Sequence, residues 1–96
     1  AAAPDAERFR ERLEAVYRPK AEFLADVLRA HGETPKALRY ADLGAGLGYF
    51  VQALRDAGMP QVQGHEVSET LCRQASALLG EAFLRPLDGI DSIETV

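Results

Sequence analysis

Ala37-Leu38-Arg39-Tyr40-Ala41-Asp42-Leu43-Gly44-Ala45-Gly46-Leu47-Gly48-Tyr49-Phe50-Val51-Gln52-Ala53-Leu54-Arg55 is the stretch that decides the fold. It reads as an apolar strand over Ala37 to Ala41, a glycine turn from Asp42 to Gly48, and a helix from Tyr49 onward. Glycine has no Cβ, so the turn can use backbone angles closed to other residues and a ligand can lie directly on the main chain. The helix that follows begins with N–H groups that have no partner inside it, at the positive end of its dipole. A carboxylate or phosphate is favoured there. The expected ligand is nucleotide-like, with one acidic group.

Working outward toward the N-terminus, Asp5 to His31 has helical periodicity. Asp5 can cap, and Phe9, Leu13, Val16 and Tyr17 recur on one side, opposite Glu7, Arg8, Glu11, Arg12 and Glu14. Pro19 lacks an N–H and clashes with the preceding turn, so a break or kink is expected near Tyr17-Arg18. A second helix then runs from Lys20 to about Ala30 with an apolar stripe of Phe23, Leu24, Val27 and Leu28, ended by Gly32. Glu33 to Lys36 is a loop. Tyr17 or Arg18 is a candidate to face the ligand if these helices lie over it.

Toward the C-terminus, Leu47, Phe50, Val51 and Leu54 form the buried face of the helix that ends at Ala57-Gly58. Gln61 to Val67 is a second strand. Ser68 caps a further helix whose apolar stripe is Leu71, Cys72, Ala75, Leu78 and Leu79, closed by Gly80. Ala82 to Arg85 is a short third strand before Pro86, and Asp88 to Val96 is loop or the start of a helix. Strands alternating with helices imply an α/β fold with parallel strands and right-handed crossovers. The expected division is residues 1–36 as an N-terminal helical segment and 37–96 as the first half of a cofactor-binding domain.

The 96 residues suffice for one modest domain. A formal net charge of −4 gives no overall attraction to nucleic acid or acidic lipid. Arg8, Arg10, Arg12, Arg18 and Lys20 are interleaved with Glu7, Glu11 and Glu14, which makes a solvated mixed face rather than an RNA-binding one. Cys72 is the only cysteine, so an internal disulfide and a cysteine-cluster metal site are excluded, which suits a reducing cytoplasm. His31, His65 and Cys72 lack metal-ligand spacing, and no metal is expected. No apolar run nears the roughly 20 residues that span a bilayer. His31 is read as a helix C-terminal residue on the dipole, His65 as a packed histidine pointing away from Glu66, and Cys72 as a core residue.

The second acidic feature narrows the ligand. Glu66 lies about twenty residues beyond the glycines, where an acidic side chain at the end of a second strand can accept hydrogen bonds from both hydroxyls of a ribose. A dinucleotide fingerprint reads Gly-x-Gly-x-x-Gly, whereas here Tyr49 takes the place of its last glycine. Asp42, just before the turn, would repel a pyrophosphate and attract an ammonium or a sulfonium. No Gly-Lys-Ser or Gly-Lys-Thr follows, which excludes a P-loop.

Asp42-Leu43-Gly44-Ala45-Gly46-Leu47-Gly48 resembles the first motif of the class I S-adenosylmethionine-dependent methyltransferases, and Gly64-His65-Glu66-Val67-Ser68 resembles their second acidic motif. The resemblance spans Leu38 to Ala75. It implies a Rossmann-like parallel sheet with flanking helices, an incomplete part of a seven-stranded fold, preceded by N-terminal helices. It also implies S-adenosylmethionine as cofactor, bound by Asp42, Gly44, Ala45, Gly46, Gly48, Tyr49, Glu66, Val67 and Asp88. The backbone from Gly44 to Gly48 would hold the methionine part and Asp42 its amino group. Glu66 would take the ribose hydroxyls, Val67 would pack on adenine, and Asp88 would meet the adenine amino group. The family places much of its substrate machinery at a fourth strand, and this chain stops short of one, so it is expected to be a piece of a longer enzyme.

The implied reaction is direct displacement, a nucleophile on the acceptor attacking the methyl carbon as the sulfur leaves, with close in-line placement supplying most of the acceleration. No residue is assigned as catalytic. A small-molecule acceptor is preferred to nucleic acid or protein because no basic patch is visible, and an oligomer is left open. The alternative function is a non-catalytic Rossmann-like module or a nicotinamide dinucleotide-binding domain.

Overall fold

The computed structural model of the chain describes residues 6–80 and 84–86. The elements are α1 (Ala6–Arg12), a π-helical segment (Leu13–Tyr17), α2 (Arg18–Ala30), a 3₁₀ turn (Pro35–Ala37), β1 (Tyr40–Leu43), α3 (Tyr49–Asp56), β2 (Val62–Glu66), α4 (Glu69–Leu79) and β3 (Leu84–Pro86). The expectations placed on Asp5, on Ala82 and on Asp88 to Val96 lie outside the described residues. The fold is α/β, with a parallel sheet in the order β1-β2-β3. Tyr40 pairs with Val62, Asp42 with Gly64, and Glu66 with Pro86.

Helical backbone runs without a break from Ala6 to Ala30, so the expected interruption at Pro19 takes another form. A proline cannot donate to the carbonyl four residues back and crowds it. The chain relieves this by widening the preceding turn, and the Arg18 N–H donates to the Leu13 carbonyl five residues earlier. Pro19 itself then stands in the first turn of α2. The apolar face of α2 is also rotated from the expected one. Ala21 and Ala25 are the buried residues, whereas Phe23 is 70% exposed. These alanines, four apart, let α2 come close to α3, on which it packs; a phenylalanine has no room there.

The first strand starts at Tyr40, three residues later than the apolar run suggests, because Pro35–Ala37 wind into a 3₁₀ turn. The Tyr40 hydroxyl donates to the Pro35 carbonyl at 2.7 Å and pins that turn to the strand. At the other helix ends the expected devices are present. Ser68 Oγ accepts the Leu71 N–H at 3.2 Å, and Gly80 closes α4 at φ +81°.

One core joins the N-terminal helices to the sheet. Phe9 and Leu13 meet Val51, Leu54, Met59, Val62, Cys72 and Ala75 in a single cluster. Phe9 and Tyr17 both stack on Tyr49, with centroids 4.4 and 4.7 Å apart and planes within 12° of parallel. Along β2 the residues facing the helices, Val62, Gly64 and Glu66, are buried, while Gln63 and His65 on the opposite face are half-buried. Leu43 shares that second face and is 53% exposed. Among the described residues no helix is long and apolar enough to cross a membrane.

Candidate functional site

The chain leaves β1 at Leu43 and turns immediately against the end of β2. Gly44 and Ala45 both donate their N–H groups to the His65 carbonyl, at 2.8 and 2.9 Å. The Gly46 N–H donates to Glu66 Oε1 at 2.8 Å, and the Gly48 N–H to the Ala45 carbonyl at 3.0 Å. Four of the loop's amides are therefore taken by the protein itself. The first intrahelical bond of α3 runs from the Gln52 N–H to the Gly48 carbonyl, so the N–H groups of Tyr49, Phe50 and Val51 precede the helical ladder.

Glu66 is 7% exposed, and its carboxylate bridges two segments. Oε1 takes the Gly46 amide, and Oε2 takes the Ser68 amide at 2.9 Å. Amides donating to the ionised form favour it, and those of Ser68 and Gly46 hold the carboxyl below its ordinary range against the opposing effect of burial. The Val67 amide adds a weaker pull on the same carboxylate, whose oxygens together offer about four acceptor sites, so some acceptor capacity remains. The acidic end of the second strand and the glycine turn thus meet in one place.

Asp42 is the penultimate residue of β1, half-buried and paired across the sheet with Gly64, which has no side chain to crowd it. Burial pushes its carboxyl above the ordinary value. No hydrogen bond or ion pair from the described residues reaches that carboxylate. It lines a cavity of about 300 Å³, together with Gly44 and Ala45 of the loop and Tyr49 and Phe50 at the start of α3. The remaining wall is Tyr17 and Lys20, from the end of the π-helical segment and the first turn of α2.

Of the residues expected from sequence, Asp42, Gly44, Ala45 and Tyr49 share this cavity. Gly46, Gly48, Glu66 and Val67 do not line it; Glu66 is tied to the loop by the Gly46 amide. Val67 follows Glu66 with 75% of its surface exposed. Asp88 lies outside the described residues. The glycines divide by environment. A Cβ built on Gly44 or Gly46 would meet nothing within 4 Å, leaving room against the main chain, whereas one on Gly48 would lie 3.0 Å from Leu79 Cδ1 and 3.7 Å from Ala75 Cβ. Gly48 is the close contact between the loop and α4.

Tyr17 lines the cavity, as one of the two residues considered for that place. Arg18 does not; it pairs with Glu14 at 3.2 Å and Glu22 at 3.6 Å on the outer surface. Lys20 and Phe50 carried no motif. Lys20 was nonetheless detectable, because it stands three residues after Tyr17 and so shares its side of a helix. His31 Nδ1 lies 2.9 Å from the Val27 carbonyl at the end of α2, and Cys72 is 8% exposed in the core. His65 Nδ1 is enclosed without a hydrogen-bond partner among the described residues. No group of three metal-ligating side chains occurs among the described residues. Compared with known proteins, the chain matches no family model and no curated relative.

Proposed function

We propose that this chain is the cofactor-binding part of an S-adenosylmethionine-dependent methyltransferase, built as the first half of a Rossmann-like sheet and working on a small acceptor in the cytoplasm. The observation that carries this reading is the hydrogen bond from the Gly46 amide to Glu66, which joins the glycine turn and the acidic end of β2 into a single site. Its support is strengthened by Asp42, a half-buried carboxylate in the adjoining cavity with no cationic partner among the described residues. A cation relieves such a group, while a pyrophosphate makes its position worse. The open space over Gly44 and Gly46 also suits a ligand lying on the backbone.

When bound, the cofactor supplies a methyl group made electrophilic by a sulfonium. The chain's own residues would bind and orient it. Asp42 would hold the ammonium of the amino-acid end, and the remaining acceptor capacity of Glu66 would serve the ribose hydroxyls. Val67 offers apolar surface to the adenine ring. No described residue stands where a general base for the acceptor could be assigned.

Calorimetric titration of S-adenosylhomocysteine into the folded chain tests the proposal. Saturable binding is expected, with a loss on the order of a hundredfold in Glu66→Ala from two charge-assisted hydrogen bonds. Glu66→Gln, which preserves volume, should bind more weakly than wild type as well. Absence of saturable binding by the folded chain, or a fluorescence response to NADH in its place, would overturn the methyltransferase reading.

A further inference from the structure

Lys20 and Asp42 line the same cavity, with opposite charges, and no ion pair joins them. Among the described residues Lys20 has no carboxylate partner either. Its ammonium lies 5.5 Å from the centroid of the Tyr17 ring, which stacks on Tyr49 at the entrance to α3. Such a ring steadies a cation without neutralising it. Two uncompensated charges of opposite sign on facing elements make a receptor for a zwitterion.

We propose that Lys20 is a ligand-binding residue of this site, pairing with the carboxylate of the ligand's amino-acid end while Asp42 takes the ammonium. This rests on the methyltransferase reading and extends the site to the N-terminal helices, which contribute a charged contact as well as packing. Tyr17 and Lys20, three residues apart across the end of the π-helical segment, lie on one side of the helix and meet the same cavity.

The test compares two probes that share a nucleoside and differ in the amino-acid end, S-adenosylhomocysteine and 5′-methylthioadenosine. Lys20 is exposed, and Lys20→Met should keep the circular dichroism spectrum of wild type. The variant is expected to bind S-adenosylhomocysteine about tenfold more weakly, as for loss of one charge-assisted contact, with 5′-methylthioadenosine unaffected. Lys20→Arg, which keeps the charge, should return affinity to within about threefold of wild type. Equal affinity of Lys20→Met and wild type for S-adenosylhomocysteine would overturn the role of Lys20 and leave the methyltransferase reading standing. An equal loss for both probes would overturn it too, by showing an effect through packing. Failure of wild type to bind either probe would remove both.

Discussion

Three glycines within five positions look equivalent in sequence, and the structure separates them. Gly46 has φ +61° with open space beyond its Cα, and Gly48 has φ +87° with Leu79 against it. An alanine at Gly46 carries the backbone strain alone, about 1 kcal/mol, while one at Gly48 adds a collision with α4 that brings the cost to about 2–3 kcal/mol. Urea unfolding should therefore rank Gly48→Ala as the less stable variant. Ligand titration should rank them the other way per unit of stability lost, because only at Gly46 does the added methyl enter the space over the loop. The motif spacing made the meeting of the glycine turn with Glu66 legible, since strand, turn and acidic residue have to recur in that order to converge. The difference between Gly46 and Gly48 was not legible, because it depends on Leu79, thirty-odd residues away and placed by the packing of a different helix. Lys20 was legible only through its spacing from Tyr17, since it is otherwise one of several cations in a charged helix.

At the level of elements, the helices and strands were largely evident from periodicity and caps, and the departures have local causes. Pro19 widened a turn instead of breaking it, since burial of Phe9 and Leu13 on one side and of Ala21 and Ala25 on the other rewards a continuous helix. The face of α2 was misjudged because hydrophobicity favours Phe23 while close packing on α3 favours alanine. The joint between these helices and α3 is the stack of Phe9 and Tyr17 on Tyr49. Each stacked pair contributes roughly 0.5–1.5 kcal/mol beyond burial. Tyr49→Ala is expected to lower unfolding free energy by about 2–3 kcal/mol, read from urea melts, with Tyr49→Phe close to wild type because the stack needs only the ring. A Tyr49→Ala protein as stable as wild type would mean that the stack does not hold the helices to the sheet.

For the whole molecule, the two carboxylates of the site act on stability in opposite directions as pH changes. The Glu66 carboxyl is lowered in the folded state, so its contribution is fully present above the ordinary value of 4.5 and is lost as pH falls through the lowered one. The Asp42 carboxyl is raised, so its ionisation opposes folding; that penalty is absent below 3.8, grows as pH rises through the window up to the raised value, and is complete above it. Asp42→Asn should accordingly raise the thermal midpoint at pH 7, with the gain shrinking as pH is lowered toward 3.8, while ligand affinity falls. A midpoint unchanged at pH 7 would show that burial does not penalise the ionised Asp42 carboxyl. Asp42 is thus the part of this cavity whose ionisation opposes folding at neutral pH.

The bonds from Gly44, Ala45 and Gly46 to the end of β2 have one more consequence, for how the loop moves. These amides belong to a surface turn by position but share the fate of the sheet, because none can reach solvent until the turn parts from His65 and Glu66. In hydrogen exchange they would behave as strand amides. The turn is thus tied to the sheet, and the facing wall is tied to α3 by the stack of Tyr17 on Tyr49.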